Sequence, residues 1–295
     1  MRVAFIGLGA IGCPMAEHLA KPPFDLVIWN RTPRKSRAFA LRHRVPVATT
    51  PAEAARNADI VVTCLPSSAE VLTLLDGDDG LAAGLEPGTL LVDCTSGDPQ
   101  TSRIISERLR ANGVDFIDAP VSGGVKGAEA GTLTVMCGGG QDAIDRARPV
   151  FEAFGSKIVR CGDVGAGHAV KAMNQALLAV HIWSAGECLA ALAKLGVDTR
   201  IALDVINGSS GRSNASENLF PERVMTREFP RTFKLALLDK DVAIAAGIAA
   251  GAGVAAPFVE LAAQLFAEAH DSLGDEADHV EAIRYIETQA GVRVS

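Results

Sequence analysis

The chain has 295 residues, about half of them apolar, and a formal net charge of −7. That length suits one large domain or two ordinary ones, with enough apolar content to bury a sizeable core. The acidic balance argues against general nucleic-acid binding and against a basic helix docked on an anionic membrane.

In the first half, short β-type runs alternate with helical patterns. "VAFIG" (3–7), "LVIWN" (26–30), "DIVVTCL" (59–65), "TLLVDCT" (89–95), "FIDAPV" (116–121), "LTVMCGG" (133–139) and "KIVRCG" (157–162) read as strands. Several are apolar on both faces, as strands of a covered parallel sheet are. Segments 11–20, 51–56 and 101–112 read as helices between them, so βαβ units are expected. The apolar run at 3–7 is too short for a signal peptide.

Gly7-Leu8-Gly9-Ala10-Ile11-Gly12 fits G-x-G-x-x-G between a predicted strand and a predicted helix. In that context Gly7 permits the tight turn, Gly9 lets the backbone approach a pyrophosphate, and Gly12 lets the helix pack on the sheet. The helix N-terminus then offers N–H groups to the anion. Leu8, Ala10 and Ile11 belong to the same cofactor-binding turn. Where an NAD site places a carboxylate, the second run ends in Asn30-Arg31-Thr32, 18 residues past Gly12. A guanidinium suits a phosphate, and Asn30 and Thr32 offer neutral hydrogen bonds, so NADP is expected over NAD. A solvated Arg31 beside Arg34 and Lys35, with dual use of both cofactors, stays open.

"DAPVSGG" (118–124) ends a strand with the Ser122 hydroxyl and the backbone amides of Gly123 and Gly124. Ligands of open α/β sheets bind at such carboxyl ends. A plain turn is the alternative.

After about residue 163 no further strand is expected. Residues 169–195 form a long helical pattern stopped by Gly196. Lys171 lies in its first third among apolar residues, where desolvation would lower its pKa and suit it to proton transfer. Asn174 and Gln175 follow on the same helical face. A snorkelling lysine is the alternative. Polar loops are expected at 207–218 and 226–232, and Arg212 in the first is either an anion clamp or a solvated side chain. Lys240 and Asp241 open an apolar helix. Val242 to Val259 carries no charge over 18 residues, but it is mostly Ala and Gly, and Pro257 interrupts it. Two buried helices broken near Gly251–Pro257 are expected there rather than a membrane span.

The six cysteines are scattered and form no CxxC pair, so they read as buried, reduced thiols. His168, His181, His270 and His279 stand in no motif with a carboxylate and read as packing or surface residues. No metal site is expected. The expected architecture is an α/β class fold: an N-terminal Rossmann-type doubly wound sheet, a long interdomain helix and an all-α C-terminal domain. The cofactor domain is placed at 1–163 and the helical domain at 164–295.

The fingerprint "GLGAIGCPMA", "DAPVSGG", the G-x-G-x-x-x-K-x-x-N pattern from Gly165 to Asn174, and the "KD" pair occur in that order. Together they resemble the β-hydroxyacid dehydrogenase family over nearly the whole chain. The resemblance implies NAD(P)-dependent interconversion of a small β-hydroxy acid, 3-hydroxyisobutyrate-like, with its semialdehyde. It implies Lys171 as catalytic acid/base, and Ser122, Gly123 and Gly124 on the substrate carboxylate. Asn174 or Gln175 would orient the substrate. It places Thr95 near the nicotinamide ribose, Leu65 and Pro66 on the adenosine half, Lys240 toward the cofactor, and Phe233 and Asp241 at the border of the site. Members often carry Asn four residues after the lysine, where this chain has Gln175, one methylene longer. The resemblance further implies a homodimer or homotetramer acting on a small carboxylate, and the reduced thiols point to a cytoplasmic protein. An imine reductase, or a non-catalytic dinucleotide-binding module, is the alternative, and Lys171 speaks against both.

Overall fold

The computed structural model describes residues 1–295, which divide into two compact units, Met1–Lys171 and Ala172–Ser295. In the first unit the apolar runs become an eight-stranded sheet. β1 (Arg2–Ile6), β2 (Asp25–Trp29), β3 (Ile60–Thr63), β4 (Leu90–Asp93) and β5 (Asp115–Asp118) pair in parallel in the order β2-β1-β3-β4-β5. The order reverses at β1, so the loops leaving β1 and β3 diverge and open a crevice at their carboxyl ends. β6 (Val121–Ser122), β7 (Leu133–Gly138) and β8 (Gly155–Gly162) extend the sheet, with β7 antiparallel to β5 and β6 and parallel to β8.

Helices α1 (Gly12–Leu19), α2 (Pro33–His43), α3 (Pro51–Ala55), α4 (Ser68–Leu74), α5 (Leu81–Gly84), α6 (Pro99–Arg110), α7 (Gly124–Ala130) and α8 (Gln141–Phe154) complete this unit. Two cores form around the sheet. One contains Phe5, Met15, Ile28, Val62, Val92 and Phe151, and the other Ala4, Ile6, Val61, Leu91, Ile105 and Leu109. Neighbouring residues of a strand thus feed opposite cores, as a sheet covered on both faces requires.

The expected run 116–121 divides at Ala119-Pro120. Proline has no N–H for a ladder. The Ala119 N–H still reaches the Asp93 carbonyl (2.7 Å), but the Pro120 carbonyl accepts from Met136 N–H (3.0 Å), so the chain changes partner from β4 to β7.

The second unit holds no named strand. α9 (Ala166–Lys194) begins in the first unit and continues into it, followed by α10 (Thr199–Asn207), α11 (Leu235–Gly251), α12 (Pro257–Leu273) and α13 (Ala282–Ala290). α11 ends and α12 begins where the Gly251–Pro257 break was expected. The loop expected at 207–218 is shorter, because Ala215–Val224 forms a π-helical segment with Phe220 and Val224 fully buried. Ile182, Trp183, Leu189, Leu238, Val242 and Phe266 fill the core of this unit, with Trp183 and Phe266 rings 5.4 Å apart. α9 is long and apolar enough to cross a membrane by length and composition, yet its residues Ala179, Ile182 and Leu189 are wholly buried in that protein core.

The segment entering α11 is tied down by Asp278, which is fully buried. Its carboxylate accepts from Arg223 Nη1 (2.7 Å), Thr232 N–H and Oγ1 (3.1 Å each), Phe233 N–H (3.2 Å) and Val280 N–H (3.1 Å). Burial alone would raise this carboxyl, but the hydrogen bond and charge of His279, the Val280 N–H and Arg223 outweigh it and hold it far below the usual carboxylate range.

Candidate active site

The glycine turn follows β1, and each glycine has a different reason to be glycine. Gly7 has φ +106°, and a Cβ there would collide with the Cys64 carbonyl. A Cβ on Gly12 would collide with the Gly7 carbonyl and come within 3.3 Å of Cys64 Cβ. Both therefore serve the approach of the turn and α1 to the end of β3. Gly9 is exposed, and a Cβ there would meet no atom within 4 Å. No protein neighbour explains its missing side chain, whereas close approach of a ligand does. The turn thus fits a dinucleotide pyrophosphate. Ala10 is exposed, Ile11 half-buried, and Leu8 buried.

At the end of β2 the three expected residues behave differently. Asn30 is committed to the protein: its Oδ1 accepts from Leu8 N–H (2.8 Å) and its Nδ2 donates to the Thr32 carbonyl (3.1 Å). It braces the glycine turn instead of offering a free amide. Thr32 is exposed. Arg31 is 82% exposed and pairs with Glu70 on α4 at 3.3 Å. Glu70 Oε2 is buried without a hydrogen-bond partner. A carboxylate therefore does stand beside the β2 end, contributed by α4 and not by the strand.

Leu65 is half-buried and Pro66 exposed after β3. Thr95, expected beside the ribose, is almost wholly buried, and its side chain is used internally: Oγ1 accepts from Leu65 N–H (3.1 Å). It joins the ends of β3 and β4.

Ser122 is half-buried, and Gly123 and Gly124 are exposed at φ +138° and +65°. A Cβ on Gly123 would lie 3.0 Å from Leu133 Cδ2. This backbone suits glycine, and it leaves the pair's main chain open at the end of the strand.

The G-x-G-x-x-x-K stretch is seated on the sheet by Asp118, the first residue of "DAPVSGG". Asp118 Oδ1 accepts from Gly165 N–H (2.6 Å) and Oδ2 from His168 N–H (2.8 Å). A buried carboxylate thus caps the positive end of α9. Burial raises the Asp118 carboxyl despite the His168 charge and these N–H groups, which lower it. Gly165 takes φ +95°, and a Cβ on Gly167 would strike the Met136 carbonyl and stand 2.8 Å from Asp118 Oδ2. One turn on, Lys171 is only 8% exposed.

In the second unit, Asn174 Nδ2 donates to Gln175 Oε1 (3.2 Å) and Gln175 Nε2 to Asp241 Oδ2 (3.1 Å). The other Asp241 oxygen takes Lys240 Nζ at 2.7 Å. Gln175 and Asp241 are buried, so Asp241 holds the carboxamide that stands where relatives of the resembled family often carry Asn. Lys240 and Asp241 lie in the second turn of α11, not at its opening. Phe233 is half-buried against the His279 ring (5.3 Å between centroids). Arg212 is 60% exposed, and its nearest carboxylate, Glu217, is 3.7 Å away.

His168 is buried, as its expected packing role requires, and its ring is also hydrogen-bonded. It is wholly buried, with Nδ1 2.6 Å from Ser102 Oγ, Nε2 2.9 Å from the Thr95 carbonyl and Asp93 Oδ2 at 3.9 Å. His270 lies between Asp239 (2.8 Å) and Asp275 (2.9 Å). All six thiols are free, but only Cys94 and Cys137 are buried by residue, and Cys188 is exposed. Burial pushes the Cys64 and Cys137 thiols up to about 12, which leaves no thiolate nucleophile under the glycine turn.

Residues 2–162 match the family model for the NAD-binding domain of 6-phosphogluconate dehydrogenase. Residues 165–286 match that for the NAD-binding region of NADP-dependent 3-hydroxyisobutyrate dehydrogenase. The chain is 34% identical to 2-(hydroxymethyl)glutarate dehydrogenase of Eubacterium barkeri, covering all of this chain and 98% of that protein. It is 35% identical to the NAD-dependent L-serine dehydrogenase of Pseudomonas aeruginosa, over 90% of this chain and 91% of that one. Among solved structures, 3-hydroxyisobutyrate dehydrogenase of Mycobacterium tuberculosis with L-serine superposes at TM-score 0.88, with 32% identity, over 97% of this chain and 98% of that one. An imine reductase of Streptomyces aurantiacus, at 19% identity and TM-score 0.65, shares the fold alone.

Proposed function

The chain belongs to the β-hydroxyacid dehydrogenase family, and from that premise we propose that it interconverts a small β-hydroxy acid and its semialdehyde. It is an oxidoreductase that uses a nicotinamide dinucleotide. The observation that carries the site assignment is Lys171, nearly buried one turn beyond a helix start that Asp118 clamps to the sheet.

The dinucleotide, when bound at the glycine turn, supplies or takes up the hydride. The chain's own residues do the rest. The Ser122 hydroxyl and the Gly123 and Gly124 amides hold the substrate carboxylate. Lys171 Nζ delivers a proton to the carbonyl oxygen on reduction and removes it on oxidation, a task worth about 10²–10⁴-fold in rate. Asn174 and Gln175 orient the substrate, and Asp241 fixes Gln175. Lys240 and Phe233 serve the cofactor side. Holding the acid group and the reacting oxygen in place converts an encounter into a positioned reaction.

Arg31 supports NADP as the preferred dinucleotide, and Glu70 limits that preference. NAD-dependent relatives such as the Pseudomonas enzyme keep dual use within the proposal. A cytoplasmic location and a homodimer or homotetramer belong to it as well. The latter is supported by exposed Ile201 and Val205, one turn apart on α10.

A panel of small hydroxy acids and semialdehydes, assayed with NADPH and NADH, tests the reading. Turnover of at least one acidic member is expected, with kcat falling by at least about a hundredfold in Lys171→Ala at unchanged cofactor affinity. Retained activity in that variant removes Lys171 from the mechanism.

A further inference from the structure

We propose that His168 is a positioning residue that couples the cofactor-side loops, at Leu65-Pro66 and Thr95, to the helix turn carrying Lys171. The proposal rests on the reading of Lys171 as proton donor. His168 precedes Lys171 by three residues, so the two share a face of α9.

The ring is held at both nitrogens. A carbonyl oxygen only accepts, so Nε2 carries the hydrogen and donates to Thr95 at 2.9 Å. Ser102 Oγ lies 2.6 Å from Nδ1 and 3.0 Å from the Asp98 carbonyl, so its single hydrogen serves one of them: either the hydroxyl donates to Nδ1, or a protonated Nδ1 donates to Oγ. The main-chain N–H of the same residue donates to Asp118. Thr95 carries the connection onward. Its N–H donates to Asp93 Oδ1 (3.1 Å), which also accepts from Thr63 Oγ1 (2.8 Å), and its own Oγ1 accepts from Leu65 N–H. One residue of α9 is thereby bonded to α6 and to the ends of β4 and β5, and through Thr95 to the end of β3. Leu65 and Thr95, with Pro66, are the residues assigned to the cofactor after those strands.

A histidine is a costly choice if only packing were needed. It has no exposed surface, and it brings its polar edge to 3.9 Å from Asp93 Oδ2, a buried oxygen with no hydrogen-bond partner. Buried polar groups of this kind are expensive unless satisfied. An apolar side chain would fill the space but would let the helix turn about its axis or slide. Two directional bonds from the ring and one from the backbone leave a single rotation and height. The loop before α6 closes in from the other side, since a Cβ on Gly97 would lie 3.0 Å from the ring's Cε1. The distance from Lys171 to the reacting centre is set through this ring, and a displacement of about 1 Å at such a site costs about a hundredfold in rate.

The test compares His168→Leu, His168→Gln and Lys171→Ala in the full chain. The leucine keeps bulk and loses both bonds. The glutamine keeps one donor and one acceptor. Each variant is titrated with NADPH by fluorescence for affinity and stoichiometry, then assayed for kcat, KM and the isotope effect with 4-deuterated NADPH. His168→Leu is expected to bind NADPH with full stoichiometry and affinity within about threefold, while kcat falls about 10–100-fold. His168→Gln is expected to recover kcat to within about threefold of wild type. Full binding with wild-type kcat in His168→Leu overturns the proposal. So does a glutamine variant as slow as the leucine one. If His168→Leu fails to fold, Ser102→Ala removes the hydroxyl at Nδ1 together with its bond to the Asp98 carbonyl, and an unchanged kcat there is equally fatal. A fast Lys171→Ala overturns the reading of the lysine. A slow Lys171→Ala beside a fast His168→Leu overturns the coupling alone.

Discussion

Replacing Arg31 by alanine should weaken NADPH binding while leaving NADH nearly unaffected. A charge-assisted hydrogen bond to a phosphate contributes about 1.5–3 kcal/mol. Arg31 is 82% exposed, which places it at the low end of that range. Its pairing with Glu70 at 3.3 Å competes for the same guanidinium, and an exposed pair of this kind is worth about 0.2–1 kcal/mol. The difference, about 0.5–1.3 kcal/mol, corresponds to roughly 2- to 9-fold in NADPH affinity. Glu70→Gln should act in the opposite sense. It frees the guanidinium and removes a negative charge from beside the 2′-phosphate, raising the NADPH preference by up to about fivefold. Fluorescence titrations of both dinucleotides at fixed ionic strength measure this, and added salt should shrink the preference because the groups are exposed. An NADPH-to-NADH affinity ratio that stays within about twofold in Arg31→Ala would falsify the assignment. A wild-type preference for NADH would point to Glu70 as the selecting carboxylate.

Gly123→Val places a β-branched side chain at φ +138° and over an exposed amide, so kcat/KM for an acidic semialdehyde should fall by about a hundredfold or more while NADPH affinity holds. Equal turnover of acidic and neutral aldehydes by the wild type would remove the carboxylate anchor. Asp278→Asn should destabilise the second unit by about 3–5 kcal/mol at neutral pH, because it strips buried Arg223 of its partner. The folded carboxyl lies below its ordinary 3.8, so this contribution is present above that pH and fades as pH drops through the folded value. Urea unfolding at pH 7 and at pH 3 should show a smaller penalty at pH 3. His270 runs the other way. Hydrogen bonds to Asp239 and Asp275 raise its pKa above 6.5, so its contribution is full below 6.5 and lost as pH rises through the folded value. His270→Asn should therefore lower Tm more at pH 6 than at pH 9, and a pH-independent loss would contradict the ion pairs.

The parts of the fold legible in the sequence are those with a local physical signal. Apolar runs marked the strands, and the glycine register marked the tight turn from β1 into α1. Gly251 and Pro257 marked the break between α11 and α12. Less legible were the pairings that give those elements their orientation. Asp118 caps α9 from 47 and 50 residues away, and Thr95 meets His168 across 73. No periodicity reports such distances. Asn30 illustrates the same limit from the other side, since its amide is spent on Leu8, 22 residues back, and so is not free for a phosphate. One signal was nevertheless present. Asp93 and Asp118 each directly follow buried apolar strand residues, Leu90-Leu91-Val92 and Phe116-Ile117. An acid in such a place must be buried, and a buried acid must have partners. The neighbourhood that answers that requirement contains the first turn of α9, with His168 and the glycines that let it come close. The two carboxylates at the strand ends and the lysine one turn up the helix are therefore parts of one arrangement: Asp118 fixes where the helix begins, Asp93 holds the Thr95 main chain that meets His168, and on the proposed role of Lys171 the helix would fix where the proton is delivered.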